Sequence, residues 1–211
     1  MEPYEVPRGC LVFGGVPWPC AVATKLWVHE GLEFKTGASG SRKRGAPPDC
    51  LVTHHTGGEE TPAGLYAVLQ ERKLGVEFSI YADGTLWQHC DPVYVDTFDA
   101  GFFNRRSAGV EIVNKGLAPA SSRQPRLEYR ARGFTYLRYT AAQMVSYLAL
   151  CDTFCAALKV PKRIPAHDNL MSARELENFK GVLGHYHLDP QKNDPGTQPF
   201  DVLLEAGYVR T

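Results

Sequence analysis

The chain has 211 residues, enough for one well-developed hydrophobic core with an extension. Hydrophobic residues make up 44% and charged residues 22%, which is typical of a soluble globular domain. Lys+Arg and Asp+Glu balance at 23 each, and no apolar run approaches the length needed to cross a bilayer. We therefore expect no nucleic-acid partner and no membrane insertion.

The N-terminal part of the chain differs in composition from the rest. It begins MEPYEVPRGC, without the basic start and apolar segment of a secretory signal, which predicts a protein that is cytoplasmic as synthesised. The even number of six cysteines permits disulfides, whereas thiols in that compartment are normally reduced. Residues 1–35 are predicted to be irregular because of their prolines, and 37–49, rich in Gly, Ser, Arg and Pro, to be a mobile connection.

The remaining chain carries periodic apolar segments. In chain order these predict a strand at 50–56, a helix that begins at 62 and is capped by Thr61, a hairpin at 75–88 and a strand at 108–114. They also predict a surface insertion at 116–138 and a helix at 141–158 that begins with a Thr140–Gln143 capping box. This order indicates an α/β fold with a mixed central sheet flanked by helices. We predict an extension and linker at 1–47, packed on or near the core of a catalytic domain at 48–211.

Two segments concentrate residues that bind metals. In LVTHHTGGEE, a buried strand ends on His54 and His55, and GVLGHYHLDPQKNDPG contains His185, His187 and Asp194. Zinc hydrolases typically use three protein ligands and leave a fourth position open. His54, His185 and Asp194 would supply two imidazoles and a carboxylate. A three-histidine site with His187 in place of Asp194 is the alternative.

Three segments together resemble a known family. HHTGG at 54–58, SAGVEIVN at 107–114 and GHYHLDPQKNDPG at 184–196 are similar to the zinc-dependent N-acetylmuramoyl-L-alanine amidases. These type 2 amidases share their fold with phage T7 lysozyme and the peptidoglycan recognition proteins. The resemblance covers roughly residues 48–205 and includes the hairpin and the capped helix. It implies one Zn²⁺ ion held by His54, His185 and Asp194, with no other cofactor.

The resemblance also implies roles for two further residues. Glu111 of the GVEIVN strand would transfer protons, and Lys192 would stand beside the developing oxyanion. His55 should point away from the metal, because neighbouring residues of a strand face opposite sides. The chain departs from the family at Asp99, where many relatives have a histidine before Ala-Gly, and in a His-to-Asp spacing of nine, one shorter than in some relatives.

The remaining histidines have no supporting pattern. We expect structural or surface roles for His29, His89 and His167. The cysteine pair Cys151 and Cys155 has helical spacing and is predicted to lie in the core.

The activity implied by the resemblance is hydrolysis of the amide between N-acetylmuramic acid and L-alanine in peptidoglycan, in an endolysin-like role. The protein would then reach the wall through a separate pore or secretion system. Alternatives are a cytosolic recycling amidase acting on soluble anhydro-muropeptides, an exported effector, a non-catalytic peptidoglycan-binding module and, more remotely, a zinc peptidase. The expected partner is peptidoglycan or a muropeptide, and the sequence carries no prediction of oligomeric state.

Overall fold

The computed structural model describes residues 6–58, 60–119 and 128–211. The strands within these ranges are β1 (Cys10–Phe13), β2 (Val16–Pro19), β3 (Thr24–Leu26), β4 (Ser41–Lys43), β5 (Cys50–His55), β6 (Phe78–Ile80), β7 (Leu86–Gln88), β8 (Val95–Thr97), β9 (Ser107–Ile112), β10 (Glu128–Ala131), β11 (Phe134–Leu137), β12 (Arg163–Ile164), β13 (Gly181–Gly184) and β14 (Val209–Arg210). The helices are α1 (Trp27–Glu30), α2 (Pro62–Glu71), α3 (Ala141–Leu158), α4 (Ala173–Asn178) and α5 (Gln198–Glu205), with 3₁₀ turns at Gly101–Arg106 and His185–His187.

A mixed six-stranded sheet forms the centre of the fold. Its strand order is β13-β5-β9-β6-β7-β3. Strands β13, β5, β9 and β6 run parallel to one another, whereas β7 is antiparallel to β6 and β3 runs parallel to β7. With helices packed against it, this sheet confirms the predicted fold class.

The alternation of side chains along β5 assigns each residue to one face of the sheet. Leu51 belongs to the main core beneath α3, and the hydroxyls of Thr53 and Tyr147 hydrogen-bond at 2.8 Å on that side. Cys50 and Val52 belong to a separate apolar cluster on the other face. His54 therefore projects from the face opposite α3, one residue before the strand ends.

Helix α3 covers one face of the sheet. The predicted capping box is present: the Gln143 amide donates to Thr140 Oγ1 and the Thr140 amide donates to Gln143 Oε1, both at 3.0 Å. By length and composition this helix could cross a membrane, which corrects the expectation that no apolar run approaches that length. Half of it is buried inside the fold. Cys151 and Cys155 are buried free thiols, as predicted.

The N-terminal segment contains regular structure, so the prediction of an irregular 1–35 is wrong for residues 10–30. Strands β1 and β2 form a hairpin, and β3 completes the central sheet. The Gln88 side chain joins β1 to the sheet, accepting from the Val12 amide at 2.8 Å and donating to the Val12 carbonyl at 2.7 Å. The prolines of β2 are tolerated because they lie in a two-stranded ribbon rather than inside the central sheet.

The segment predicted to be a mobile connection also takes part in the fold. Strand β4 pairs with β8, and Arg44 directly after it is buried. Its guanidinium donates to Glu77 Oε1 at 2.9 Å and to the Ser107 carbonyl at 2.7 Å. These contacts correct the expectation of mobility around residues 41–44. The proposed boundary at residue 47 stays a prediction.

The hairpin of β10 and β11 lies in the predicted surface insertion, of which residues 120–127 fall outside the described ranges. Its Tyr136 is almost completely buried and donates a hydrogen bond to the Asn193 carbonyl at 2.9 Å. Just after the hairpin, Tyr139 donates to the Pro195 carbonyl at 2.8 Å. The hairpin region therefore packs against the turn that contains Asp194.

Candidate metal centre

Neighbouring parallel strands deliver the predicted residues to one edge of the sheet. His54 is the penultimate residue of β5, and its register partner on β9 is Glu111. His185 follows β13, which pairs with the opposite side of β5. The carboxyl ends of parallel strands meet at the same edge, so the sheet places His54, Glu111 and His185 side by side.

Three side-chain atoms converge at this edge. His54 Nδ1 lies 3.0 Å from His185 Nδ1 and 3.1 Å from Asp194 Oδ2. His185 Nδ1 lies 3.1 Å from the same carboxylate oxygen. Their side chains are largely buried, with exposures between 4% and 12%, so water does not separate the three groups.

This triangle fits a tetrahedral metal ion. Zinc ligand atoms lie about 2.0–2.2 Å from the ion, so two ligands of a tetrahedral site are roughly 3.3 Å apart. The observed triangle needs only a small widening to accept zinc. A shared proton bridges only one pair of these atoms at a time, whereas a cation can bind all three. Two imidazoles with one carboxylate are a set of ligands typical of zinc.

The acid–base character of the triangle indicates that this position stabilises positive charge. Burial lowers the pKa of His54, but hydrogen bonds to Asp194 and Asp99 outweigh it and hold that pKa well above the usual value. Burial raises the pKa of Asp194, and hydrogen bonds from His185 and His54 outweigh it, so this pKa is far below normal. Burial lowers the pKa of His185, which favours the neutral ring that metals require.

Glu111 lies on the same face of the sheet as His54. The residue keeps some exposure, but its Oε2 atom is buried without a hydrogen-bond partner in the described chain. Burial raises the pKa of this carboxyl to about 7; the positive charge of His54 opposes the shift, and Asp194, Asp99 and Glu60 add to it. A carboxyl with this pKa can exchange protons near neutral pH.

Lys192 lies in the loop between His185 and Asp194. Its side chain is exposed, and its ammonium forms no ion pair within residues 6–58, 60–119 and 128–211. It is close enough for its charge to contribute to the lowered pKa of His185, although burial is the largest cause. The structure therefore places Lys192 beside the triangle without a fixed contact.

His187 is not part of the cluster, which excludes the three-histidine alternative. The segment His185–His187 is a 3₁₀ turn rather than a strand, so the two histidines do not share a face. His187 Nδ1 accepts from the Gly184 amide at 2.9 Å, and Nε2 hydrogen-bonds the His167 carbonyl at 3.1 Å. Both ring nitrogens are occupied by the backbone.

The other histidines also lie apart from the cluster. His89 is buried against Ser79 and the Leu32 carbonyl, His167 pairs with Glu175 at the surface, and His29 is exposed. This agrees with their predicted structural or surface roles. His55 packs beside Gly116, where an added Cβ would collide with the imidazole ring.

Sequence reasoning missed one residue of this site. Asp99 Oδ2 lies 3.2 Å from His54 Nε2, the ring nitrogen that does not face the triangle. The only signal in the sequence was that Asp99 departs from the family pattern. Its contact depends on the path of the chain between β8 and β9, which no local pattern specifies.

Comparisons with known proteins identify the family of the chain. The model of the N-acetylmuramoyl-L-alanine amidase family matches residues 44–197. No curated protein matches the chain in sequence.

Solved structures with the same fold include both enzymes and recognition proteins. The endolysin amidase LysCS from Clostridium intestinale URNW is 18% identical, with a TM-score of 0.58 over 88% of this chain and 97% of that one. AmiD from E. coli, in complex with an anhydro-muropeptide substrate, is 18% identical, with a TM-score of 0.53 over 80% and 61%. Drosophila recognition protein PGRP-SA is 13% identical, with a TM-score of 0.51 over 90% and 94%. Since the family model spans well over half of the sequence, this chain belongs to the N-acetylmuramoyl-L-alanine amidase family.

Proposed function

We propose that the protein is a zinc-dependent amidase that cuts the bond between N-acetylmuramic acid and L-alanine in cell-wall peptidoglycan, in an endolysin-like role. The observation that carries the proposal is the triangle of His54 Nδ1, His185 Nδ1 and Asp194 Oδ2, with sides of 3.0–3.1 Å, beside a carboxyl with a raised pKa. A binding module needs neither a metal triangle nor an acid–base group next to it.

In this proposal His54, His185 and Asp194 hold one zinc ion. When bound, zinc supplies a nucleophile at neutral pH and polarises the amide carbonyl. The protein's own contribution is a buried, pre-formed set of two imidazoles and one carboxylate. That set leaves the fourth position of a tetrahedron for water and substrate.

Glu111 acts as the proton-transfer group. Its carboxylate accepts a proton from the attacking water and returns it to the amide nitrogen, so that an amine leaves instead of an unstable amide anion. The pKa of about 7 supports both halves of this transfer, because the group gains and loses a proton at similar cost near neutral pH.

Lys192 stabilises the negative charge that develops on the carbonyl oxygen. It is exposed on the loop that connects two of the proposed ligands, and a lysine there can approach the oxygen as a mobile point charge. The absence of a fixed ion pair in the described residues leaves its ammonium available for this role.

The catalytic domain in this proposal is 48–211, with 1–47 packed upon it. The strand β3 and the buried Arg44 support a packed extension. Synthesis in the cytoplasm and release through a separate pore or secretion system complete the endolysin-like role. Soluble anhydro-muropeptides are the second candidate substrate, because the related fold of AmiD binds one.

Digestion of purified peptidoglycan tests the proposal. The protein is incubated with cell walls after chelation and after zinc is restored, and the products are identified by mass spectrometry. We expect stem peptides with new free L-alanine amino termini that disappear with the chelator and return with zinc. Intact walls together with cleaved soluble anhydro-muropeptide would move the assignment to recycling, and no cleavage of either substrate would leave a binding module.

A further inference from the structure

Asp99 forms a contact on the outer side of the metal centre. It lies between β8 and the 3₁₀ turn Gly101–Arg106, and its Oδ2 atom is 3.2 Å from His54 Nε2. The two side chains are 6% and 4% exposed. His54 therefore has one nitrogen directed into the triangle and the other directed at a buried carboxylate.

The surroundings hold Asp99 in this position. The Asn104 side-chain oxygen accepts hydrogen bonds from the backbone amides of Asp99 at 3.3 Å and Ala100 at 2.6 Å. On the neighbouring strand β9, Gly109 leaves space for the carboxylate, because a Cβ at that position would collide with Asp99 Oδ2. The Gly109 amide is itself held by Glu77 Oε2 at 2.7 Å.

His185 lacks an equivalent arrangement. Its Nδ1 faces the triangle, but no residue in the described part of the chain hydrogen-bonds its Nε2 atom. The two imidazoles are therefore held differently, and a carboxylate fixes only that of His54.

We propose that Asp99 is a positioning residue of the metal centre, which accepts the Nε2 proton of His54 and so directs the Nδ1 lone pair of that ring at the metal. A neutral imidazole carries its proton on only one nitrogen, so a partner for Nε2–H selects the tautomer that leaves Nδ1 free. The carboxylate also makes the ring a stronger ligand. This inference rests on the proposed function, since it requires His54 to be a metal ligand.

The zinc affinity of the protein tests the positioning role of Asp99 independently of catalytic activity. Metal-free full-length protein is titrated with zinc against a chromophoric chelator for the wild type, Asp99→Asn, Asp99→Ala and Asp91→Asn. We expect Asp99→Ala to bind zinc about 10–100-fold more weakly, as is typical when the partner of a ligating histidine is lost. Asp99→Asn keeps an acceptor oxygen without the charge and should fall between Asp99→Ala and the wild type.

Asp91→Asn is the matched control. Asp91 is also a buried carboxylate, but it accepts hydrogen bonds from the amides of Gly14, Gly15 and Val93, away from the triangle. Its substitution should affect folding and leave zinc affinity unchanged. An Asp99→Ala affinity equal to that of the wild type or of Asp91→Asn would overturn the inference.

The tautomer can also be read in the wild-type protein, so the test does not depend on the variants folding. Nitrogen-15 NMR of the zinc-loaded protein should show His54 with a protonated Nε2 and a metal-bound Nδ1. Coordination through Nε2 would overturn the proposal for Asp99 and leave the amidase intact. A wild type that does not bind zinc would overturn the proposed function and this inference together.

Discussion

At the scale of single residues, the position of Glu111 in the sheet accounts for the acid–base character that its proposed role requires. It shares a register position with His54, so the strand pairing alone places it beside the metal centre. Burial and three neighbouring carboxylates raise its pKa to about 7, although His54 opposes the shift. A glutamate at the same position on an exposed strand would stay ionised at neutral pH.

Replacing Glu111 by glutamine should abolish most of the activity without emptying the metal site. Glu111→Gln keeps the shape of the side chain but cannot take a proton from water, so we expect a loss of about a hundredfold or more in kcat. Zinc content, measured by mass spectrometry of the native protein, should stay at one ion per chain. Glu175→Gln, on the exposed N-terminus of α4, is a control that should retain full activity. Activity of Glu111→Gln at the wild-type rate would remove Glu111 from this role.

The raised pKa of Glu111 also predicts how stability depends on pH. The folded carboxyl has a pKa of about 7 against about 4.5 when unfolded, so the folded state binds more protons between these values. The stability from this group is complete below pH 4.5 and is lost as pH rises through 7. The test is the difference in Tm between Glu111→Gln and the wild type, taken as variant minus wild type in chelator-treated protein. This difference should increase from pH 4.5 to about 7 and stay constant above pH 7. Glu77, whose pKa is also raised to about 7, contributes equally to both proteins. A Tm difference independent of pH would show that Glu111 titrates normally.

The sequence pointed to five residues that the structure places at this edge of the sheet, and it missed Asp99. The five lie in short motifs that can be recognised from neighbouring residues alone: His54, Glu111, His185, Lys192 and Asp194. Asp99 reaches His54 from a segment 45 residues away in sequence, and its carboxylate is accommodated only because residue 109 is glycine. Such a contact depends on tertiary packing, which spacing does not encode.

At the scale of elements, the turn Asn193–Gly196 depends on the β10–β11 hairpin region. Tyr136 and Tyr139 donate hydrogen bonds to the carbonyls of Asn193 and Pro195, on either side of Asp194. Gly196 has a φ of 83° and lies against the Tyr129 hydroxyl and the Tyr136 ring. The insertion therefore supports the position of a proposed zinc ligand.

Gly196→Ala should weaken zinc binding as well as stability. The left-handed backbone costs alanine about 1 kcal/mol. In addition, the new Cβ would collide with the Tyr129 hydroxyl and approach the Tyr136 ring to 3.0 Å, which displaces the turn that carries Asp194. We expect zinc affinity, measured by chelator competition, to fall at least severalfold.

Gly133→Ala is the matched control for this substitution. Gly133 has a φ of 81° in the hairpin turn, and a Cβ there meets no atom within 4 Å. It should show the backbone cost in urea unfolding and keep the wild-type zinc affinity. Equal zinc affinity in both variants would show that the hairpin region does not position Asp194.

The elements differed in how well the sequence predicted them. The helix with its capping box was found because local hydrogen bonds define its start. Strands β1, β2 and β3 were missed because prolines and short length hide the alternation of strand residues. The contacts that attach β1 and β3 to the central sheet come from distant residues such as Gln88. The three-histidine alternative failed because His185–His187 is a 3₁₀ turn, and a spacing of two residues does not distinguish such a turn from a strand.

At the scale of the whole molecule, a buried ion pair joins the N-terminal segment to the central sheet. Arg44 and Glu77 are fully buried, and their hydrogen bonds connect the segment after β4 to β8 and β9. Removing one partner of such a pair leaves an uncompensated charge in the interior. The charge balance of the sequence gives no indication of this contact, because it depends on which two charges the fold encloses.

Arg44→Met should therefore destabilise the protein by about 3–5 kcal/mol. Arg44→Lys should not restore stability, because lysine cannot reproduce the forked set of hydrogen bonds. Lys25→Met is the control: Lys25 pairs with Glu30 at 2.8 Å, and the two side chains are 49% and 32% exposed, so its loss should cost about 1 kcal/mol or less. Urea unfolding followed by circular dichroism measures all three, and similar values for Arg44→Met and Lys25→Met would refute the contribution of the buried pair.

The central claim is that the triangle at the sheet edge holds one catalytic zinc ion. The measurement that tests it most directly is anomalous diffraction at the zinc edge, from crystals of the zinc-loaded protein. We expect one anomalous peak per chain, bonded to His54 Nδ1, His185 Nδ1 and Asp194 Oδ2 at about 2.0–2.2 Å. A peak at any other group of residues, or no peak at the triangle in zinc-saturated crystals, would contradict the account.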